Sequence, residues 1–167
     1  KPIFAGLYAS RNTTVTFSNI KLAVEGSMGE WQKSIFGDVG GQDKISDENF
    51  EITDNSDGTV KMRSSNNRGK IAGSSEGIAY YYEETLKNTN FEITAKASVE
   101  SFDINDQVSF GLMVRDKFPV NVSTKEGLGS YIAVGPINVK KDVSQYPFSR
   151  VDGESNIKAG DIVNEAK

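Results

Sequence analysis

The chain contains no cysteine and no histidine. The first absence excludes a disulfide framework and thiolate-held metals. The second removes Ser–His–Asp and Cys–His machinery, imidazole zinc sites and the side chain most used for proton transfer near neutral pH. A carboxylate pair, a Lys or Arg base, or an oxygen-ligated cation is what remains for catalysis, and that is thin equipment for an enzyme. No run approaches the roughly 18 apolar residues that a membrane-spanning helix needs. No secretory leader is visible, although a domain cut from a longer protein would have lost one. A net charge of −4 and a pI near 5.0 argue against nucleic acid as a general partner. Sustained helical periodicity is missing too.

What is present is alternation. In "QVSFGLMVRD" (107–116) Val108, Phe110, Leu112 and Val114 alternate with Ser109, Gly111, Met113 and Arg115, the period of a strand with one face in a core. "NFEITAKASVE" (90–100) places Phe91, Ile93, Ala95, Ala97 and Val99 on one face and charged or hydroxylated residues on the other. "DNSDG" (54–58) separates Phe50 and Ile52 from Val60 and Met62, a hairpin signal. "GIAYYYEE" (77–84), "SYIAVG" (130–135) and "PFSRVDG" (147–153) read as further strands between Gly-, Ser- and Asn-rich turns. The closing "GDIVNEAK" has room for a turn of helix at most. Short strands at this spacing predict an all-β, two-sheet antiparallel sandwich or jelly roll, and 167 residues suffice for one such core.

The first 26 residues form two strong strands joined at "SRN". Along the second, Val15 and Phe17 share one parity, and Ile20, Leu22 and Val24 take the other. A switch at Ser18–Asn19 predicts a bulge or bend. "GSMGEW" (26–31) then reads as a flexible join, natural or engineered, before a new unit begins near residue 29.

"WQKSIFGDVGGQDKI", "GTVKMRSSNNRGKIAGSSEGIAYYYEE", "NFEITAKASVESFD", "QVSFGLMVRD" and "YIAVGP" resemble the concanavalin-like, laminin-G-like β-sandwich modules attached to bacterial pectate lyases and related polysaccharide-degrading enzymes. They are similar, more distantly, to levan-binding carbohydrate-binding modules. The resemblance covers most of residues 31–152 and implies a jelly roll that binds sugar without cutting it, in a secreted or cell-surface bacterial protein. In that family strands like "PIFAGLYASRNTTVTFSNIKL" close the unit; here they stand first. The chain therefore divides into a closing-type strand pair at 1–25 and a main unit at 29–167 that is short of about two strands by comparison with the family. A cut across a tandem repeat, a circular permutation, or a partner supplying the absent hairpin each accounts for this order. The expectation is that residues 3–24 fill the closing-strand place, in their own sandwich or a neighbour's.

A sheet face of small residues ending in an arginine leaves a trough with a rigid fork of donors at its end. Vicinal hydroxyls or a uronate carboxylate fit that fork, and nearby carboxylates accept hydroxyl protons. On this reading Arg115, Asp116, Tyr81, Glu83 and Tyr131 share the trough, with Asn67 and Arg68 added from the donor-rich loop "SSNNRGK" (64–70). The alternatives stay open at each position: a structural ion pair for Arg115 with Asp116, cross-strand packing for the tyrosines, a solvated turn for the loop. Trp31 is expected as a core anchor. Modules of this shape often hold a structural Ca2+, and "DVGGQD" (38–43) and "DNSDG" cluster oxygen donors; neither has EF-hand spacing, so no ligand is assigned. A carbohydrate-binding module for pectin-type or fructan-type polysaccharide is the leading function. A structural domain linking a neighbouring module or a strand-exchanged copy comes second, and an Arg- or Lys-based lyase last.

Overall fold

Every recognisable period along this chain is two, and among the described residues the elements of the computed structural model are strands. It describes residues 3–24, 30–36, 48–66, 69, 71, 77–82, 86, 90–103, 108–117, 129–139, 142–152 and 158–159. The elements are β1 (Phe4–Ser10), β2 (Thr13–Val24), β3 (Trp31–Phe36), β4 (Phe50–Asp54), β5 (Val60–Ser64), β6 (Gly77–Tyr82), β7 (Phe91–Phe102), β8 (Ser109–Arg115), β9 (Tyr131–Val139), β10 (Asp142–Arg150) and β11 (Lys158–Ala159). They form a seven-stranded sheet in the order β11-β10-β9-β8-β1-β6-β3 and a four-stranded sheet in the order β4-β5-β2-β7. All strand pairs are antiparallel. "GDIVNEAK", "DVGGQD" and most of the join after β2 lie outside the described residues.

The first two strands take central places. β1 lies between β8 and β6, and β2 lies between β5 and β7. They are not a hairpin, because the chain crosses from one sheet to the other at "SRN". Arg11 takes φ 60 there, Thr13 donates its N–H to the Arg11 carbonyl at 2.8 Å, and its hydroxyl donates to the Ser10 carbonyl at 3.1 Å. The parity switch in β2 is a bulge. The ladder with β7 shifts register between Ser18 and Lys21, and Asn19 sits at φ 50. "DNSDG" joins β4 and β5 as a hairpin, with Thr59 donating both its N–H and its hydroxyl to Asp57.

The core between the sheets gathers Leu7, Val15, Phe17, Phe50, Met62 and Phe110. Phe17 and Phe50 are 2% and 1% exposed, and each ring contributes about 2–3 kcal/mol by burial alone. Trp31, expected as a core anchor, is partly buried on the edge strand β3 and packs against the core, stacked on Tyr80 with ring centroids 5.2 Å apart and planes 6° apart. β4 and β5 lie across from β6, β5 and β2 across from β1, and β2 and β7 across from β8. β9, β10 and β11 therefore extend past the edge of the four-stranded sheet.

Between β8 and β9 the ladder breaks at Phe110–Gly111 against Gly135–Pro136. Gly111 and Gly135 take φ 150 and 156, and a Cβ built on either would run into a carbonyl oxygen of the facing strand, Val134's or Phe110's. The two strands approach closely here because neither residue has a side chain. Pro136, lacking an N–H, is tolerated at the same break.

Candidate functional site

The outward face of the seven-stranded sheet carries the residues singled out from sequence. Arg115 stands opposite Phe4 of β1 and Tyr131 of β9. Tyr81 stands opposite Gly6, whose other neighbour is Met113. Alternation thus places Tyr81, Met113, Arg115 and Tyr131 together, as their parity requires.

That face is filled, not open. Tyr8, Ile71, Tyr81, Met113, Tyr131 and Phe148 belong to one buried cluster, and Arg115, Tyr81 and Tyr131 are 1%, 6% and 3% exposed. Ile71, between β5 and β6 in the chain, helps to cover it. Ile71 is wholly buried, and its carbonyl accepts a hydrogen bond from the Tyr131 hydroxyl at 3.1 Å. Edge-on ring contacts lock the layer: Phe4 with Tyr81, Tyr8 with Phe148, and Tyr131 with Phe148. The Ser109 hydroxyl donates to the Pro136 carbonyl at 2.9 Å, so its 2.6 Å contact with Tyr8 is a bond that Tyr8 donates. Burial pushes the Tyr8 phenol well above the ordinary tyrosine range.

Arg115 is embedded in this layer. Its guanidinium carbon lies 5.0 Å from the Tyr131 ring centroid, and Nη1 donates to the Met113 sulfur at 3.7 Å. Desolvation pushes its pKa down to about 10; the fields of Tyr131, Asp116 and Asp152 oppose that shift and Arg150 adds to it. The side chain remains charged at neutral pH. Stacking on the tyrosine face offsets part of its desolvation.

The polar surface next to this arginine is the end of β8, β9 and β10. Asp116 is half-buried, and its Oδ1 accepts the Ser130 N–H at 2.8 Å while its own N–H donates to the Ser130 carbonyl at 3.1 Å. The Ser130 hydroxyl accepts the Asp152 N–H at 3.1 Å. Arg150 stands opposite Tyr131 in the ladder. Asp116, Arg150 and Asp152 form a rim of mixed charge over the buried guanidinium. Arg150 and Asp152 are residues that sequence reasoning missed, although both lie in "PFSRVDG", which reads as a strand. Glu83, Asn67 and Arg68 lie outside the described residues.

Each carboxylate of "DNSDG" has one oxygen engaged by protein. Asp54 accepts the Tyr80 hydroxyl at 2.7 Å, and Asp57 serves Thr59. Among the described residues no three carboxylates converge as a metal site.

Two antiparallel sheets, a buried aromatic layer and a charged rim define a β-sandwich module. The chain belongs to the family of pectate disaccharide-lyase N-terminal domains, which matches residues 31–134. It is also 39% identical over 137 residues to pectate lyase L of Thermoclostridium stercorarium. Those residues are 80% of this chain and 11% of that protein, so the chain spans a small part of its relative. No solved structure matches it.

Proposed function

We propose that this chain is a non-catalytic carbohydrate-binding module of a secreted or surface polysaccharide-degrading protein, and that it takes pectin-type or fructan-type polysaccharide at the rim beside Arg115. On this reading the sandwich is a concanavalin-like jelly roll. The observation that supports the proposal is the gathering of Asp116, Arg150 and Asp152 around Ser130, Tyr131 and Arg115 where β8, β9 and β10 end together. Carboxylates accept sugar hydroxyl protons, and a guanidinium grips a uronate carboxylate or vicinal hydroxyls with two parallel donors. The relation to pectate lyases favours an acidic polymer. Arg115, being buried, acts as the charge beneath the rim; Arg150 makes the contact. A shallow rim desolvates little surface, so each site binds weakly.

Affinity electrophoresis in gels containing polygalacturonate, galactan or levan tests this. Retardation in at least one gel is expected, weakened tenfold or more by Arg150→Ala and by Asp152→Ala. Absence of retardation in all three, or retardation unchanged in both variants, sinks the reading. Unsaturated products released from polygalacturonate would make the chain a lyase.

A further inference from the structure

Among the described residues four strands form the sheet edges, β11 and β3 on the larger sheet and β4 and β7 on the smaller. Three of them are short, at two, six and five residues, which is one way a protein protects an open ladder. β7 runs for twelve residues. It contains no proline, and the row it turns inward, Phe91, Ile93, Ala95, Ala97 and Val99, holds no charge. Glu92, Lys96 and Glu100 belong to the opposite row, and the bulge at Glu100 falls beyond Val99. Every second residue of β7 turns its N–H and C=O away from β2, along an edge where no described strand meets them. The side chains beneath that edge are uncovered as well. Ala97 and Val99 line an open cleft of about 380 Å³ with Phe110, Val134 and Pro136. Val99 and Val134 are each 47% exposed, and Ile132, in the same row of β9 as Val134, is 62% exposed. Since β7 lies across from β8, the next place in the smaller sheet, about 4.8 Å further on, lies across from β9. On β10 the same face already carries Ser149, opposite Ile132.

We propose that one extended strand of another polypeptide segment docks here, pairing with the outer edge of β7 and laying alternate apolar side chains on Val99, Val134 and Ile132. Two independent features select that occupant. The open ladder calls for backbone donors and acceptors at the spacing of a strand, which a polysaccharide lacks. The uncovered row beneath it calls for an apolar residue at every second position. A second copy of this chain does not fit the same edge. With its β7 antiparallel to this one in a continuous sheet, both larger sheets would lie on the same side, and the two overhangs of β9, β10 and β11 would claim the same space. A strand with no second layer beneath it meets no such conflict. The strand site is separate from the rim beside Arg115, because Arg115, Tyr131 and Arg150 share the other face of the larger sheet.

The probe is a short peptide of alternating threonine and valine with lysine at both ends, titrated into the isotope-labelled whole chain and followed by amide resonances. It is expected to bind with a Kd below about 1 mM, to shift the signals of β7, Ile132 and Val134, and to slow hydrogen exchange at alternate β7 amides. Only one row of the peptide's amides faces β7. Of its two alternately N-methylated forms, one should therefore bind like the parent and the other at least tenfold more weakly. Val99→Lys sets a charge in the uncovered row and should weaken binding tenfold or more, with the far-ultraviolet circular dichroism unchanged because Val99 is half in solvent. No binding at about 1 mM overturns the proposal. So do shifts confined to β3 or β4, equal binding of both N-methylated forms, or binding indifferent to Val99→Lys. Full protection of the β7 amides before any peptide is added would show the edge closed by the chain itself, or by a second copy if light scattering gives twice the chain mass of 18.2 kDa. Shifts at the cleft from polygalacturonate and none from the peptide would make it a sugar site instead.

Discussion

Arg115 lies over the Tyr131 ring and beside the Met113 sulfur, and desolvation outweighs the favourable fields around it, so its charge gains less there than it would from water. Arg115 is held in its charged form against the desolvation that lowers its pKa to about 10. Replacing a buried charge by an apolar chain of similar length is often neutral or favourable, whereas truncating it leaves a hole. Arg115→Met is therefore expected to unfold in urea within about 1 kcal/mol of the parent or above it. Arg115→Ala should lose about 2–4 kcal/mol. A methionine variant as unstable as the alanine one would mean that the charge itself holds the layer together. Gly111 is the sharper case. A methyl group there meets the Val134 carbonyl at a φ of 150 that L residues rarely adopt. Gly111→Ala should cost about 3 kcal/mol through strain and strand separation, a fall in melting temperature of about 6–12 °C in a thermal scan for a domain this size. An unchanged melting temperature would show that β8 and β9 do not approach as described.

Strands couple through their tyrosines. Tyr80 of β6 crosses from the larger sheet to Asp54 of β4. Desolvation first, then the bond and the charge of Asp54, raise its phenol above the usual range; burial raises Tyr8 in the same direction. An acid whose folded pKa is raised keeps its proton in the native state after the unfolded chain has lost it. Stability is then constant below about pH 10 and falls as pH climbs beyond it. In an alkaline titration followed by tyrosinate absorbance, Tyr8 and Tyr80 should ionise only with unfolding, and Tyr80→Phe should remove one tyrosine from that late step. Smooth titration of all six tyrosines in the folded protein would contradict the burial of these rings. At this scale much was legible beforehand. Alternation in β7 and β8, the "DNSDG" hairpin and the bulge after Ser18 are local patterns, and the parity of Tyr81, Met113, Arg115 and Tyr131 follows from counting by twos. Two features were not legible. The cover over the Arg115 layer includes Ile71, one apolar residue in a polar stretch, reaching a face far away in sequence. β9 and β10 extend to Val139 and back to Asp142, whereas Pro136 and Pro147 suggest shorter strands. The ladder break opposite Gly111 accommodates Pro136, and no local pattern announces it.

The whole molecule depends on strands that precede the family-matched region. β1 pairs with β8 along all seven of its residues and with β6 on its other side. It supplies Leu7 and Ala9 to the core between the sheets and Tyr8 to the layer around Arg115. β2 holds β5 to β7 and brings Val15 and Phe17. Without them both sheets split at the middle, with rows of unpaired backbone groups and two opened apolar layers. A loss of that size exceeds the roughly 5–15 kcal/mol by which domains are stable. A fragment of residues 30–167 is accordingly expected to show no cooperative thermal transition. Adding a peptide of residues 1–24 should restore one, because the missing strands enter by pairing and burial and need no covalent link to β3. A fragment that melts cooperatively alone, with tyrosine environments like those of the full chain, would place the folding unit entirely after residue 30 and make β1 and β2 an addition to it.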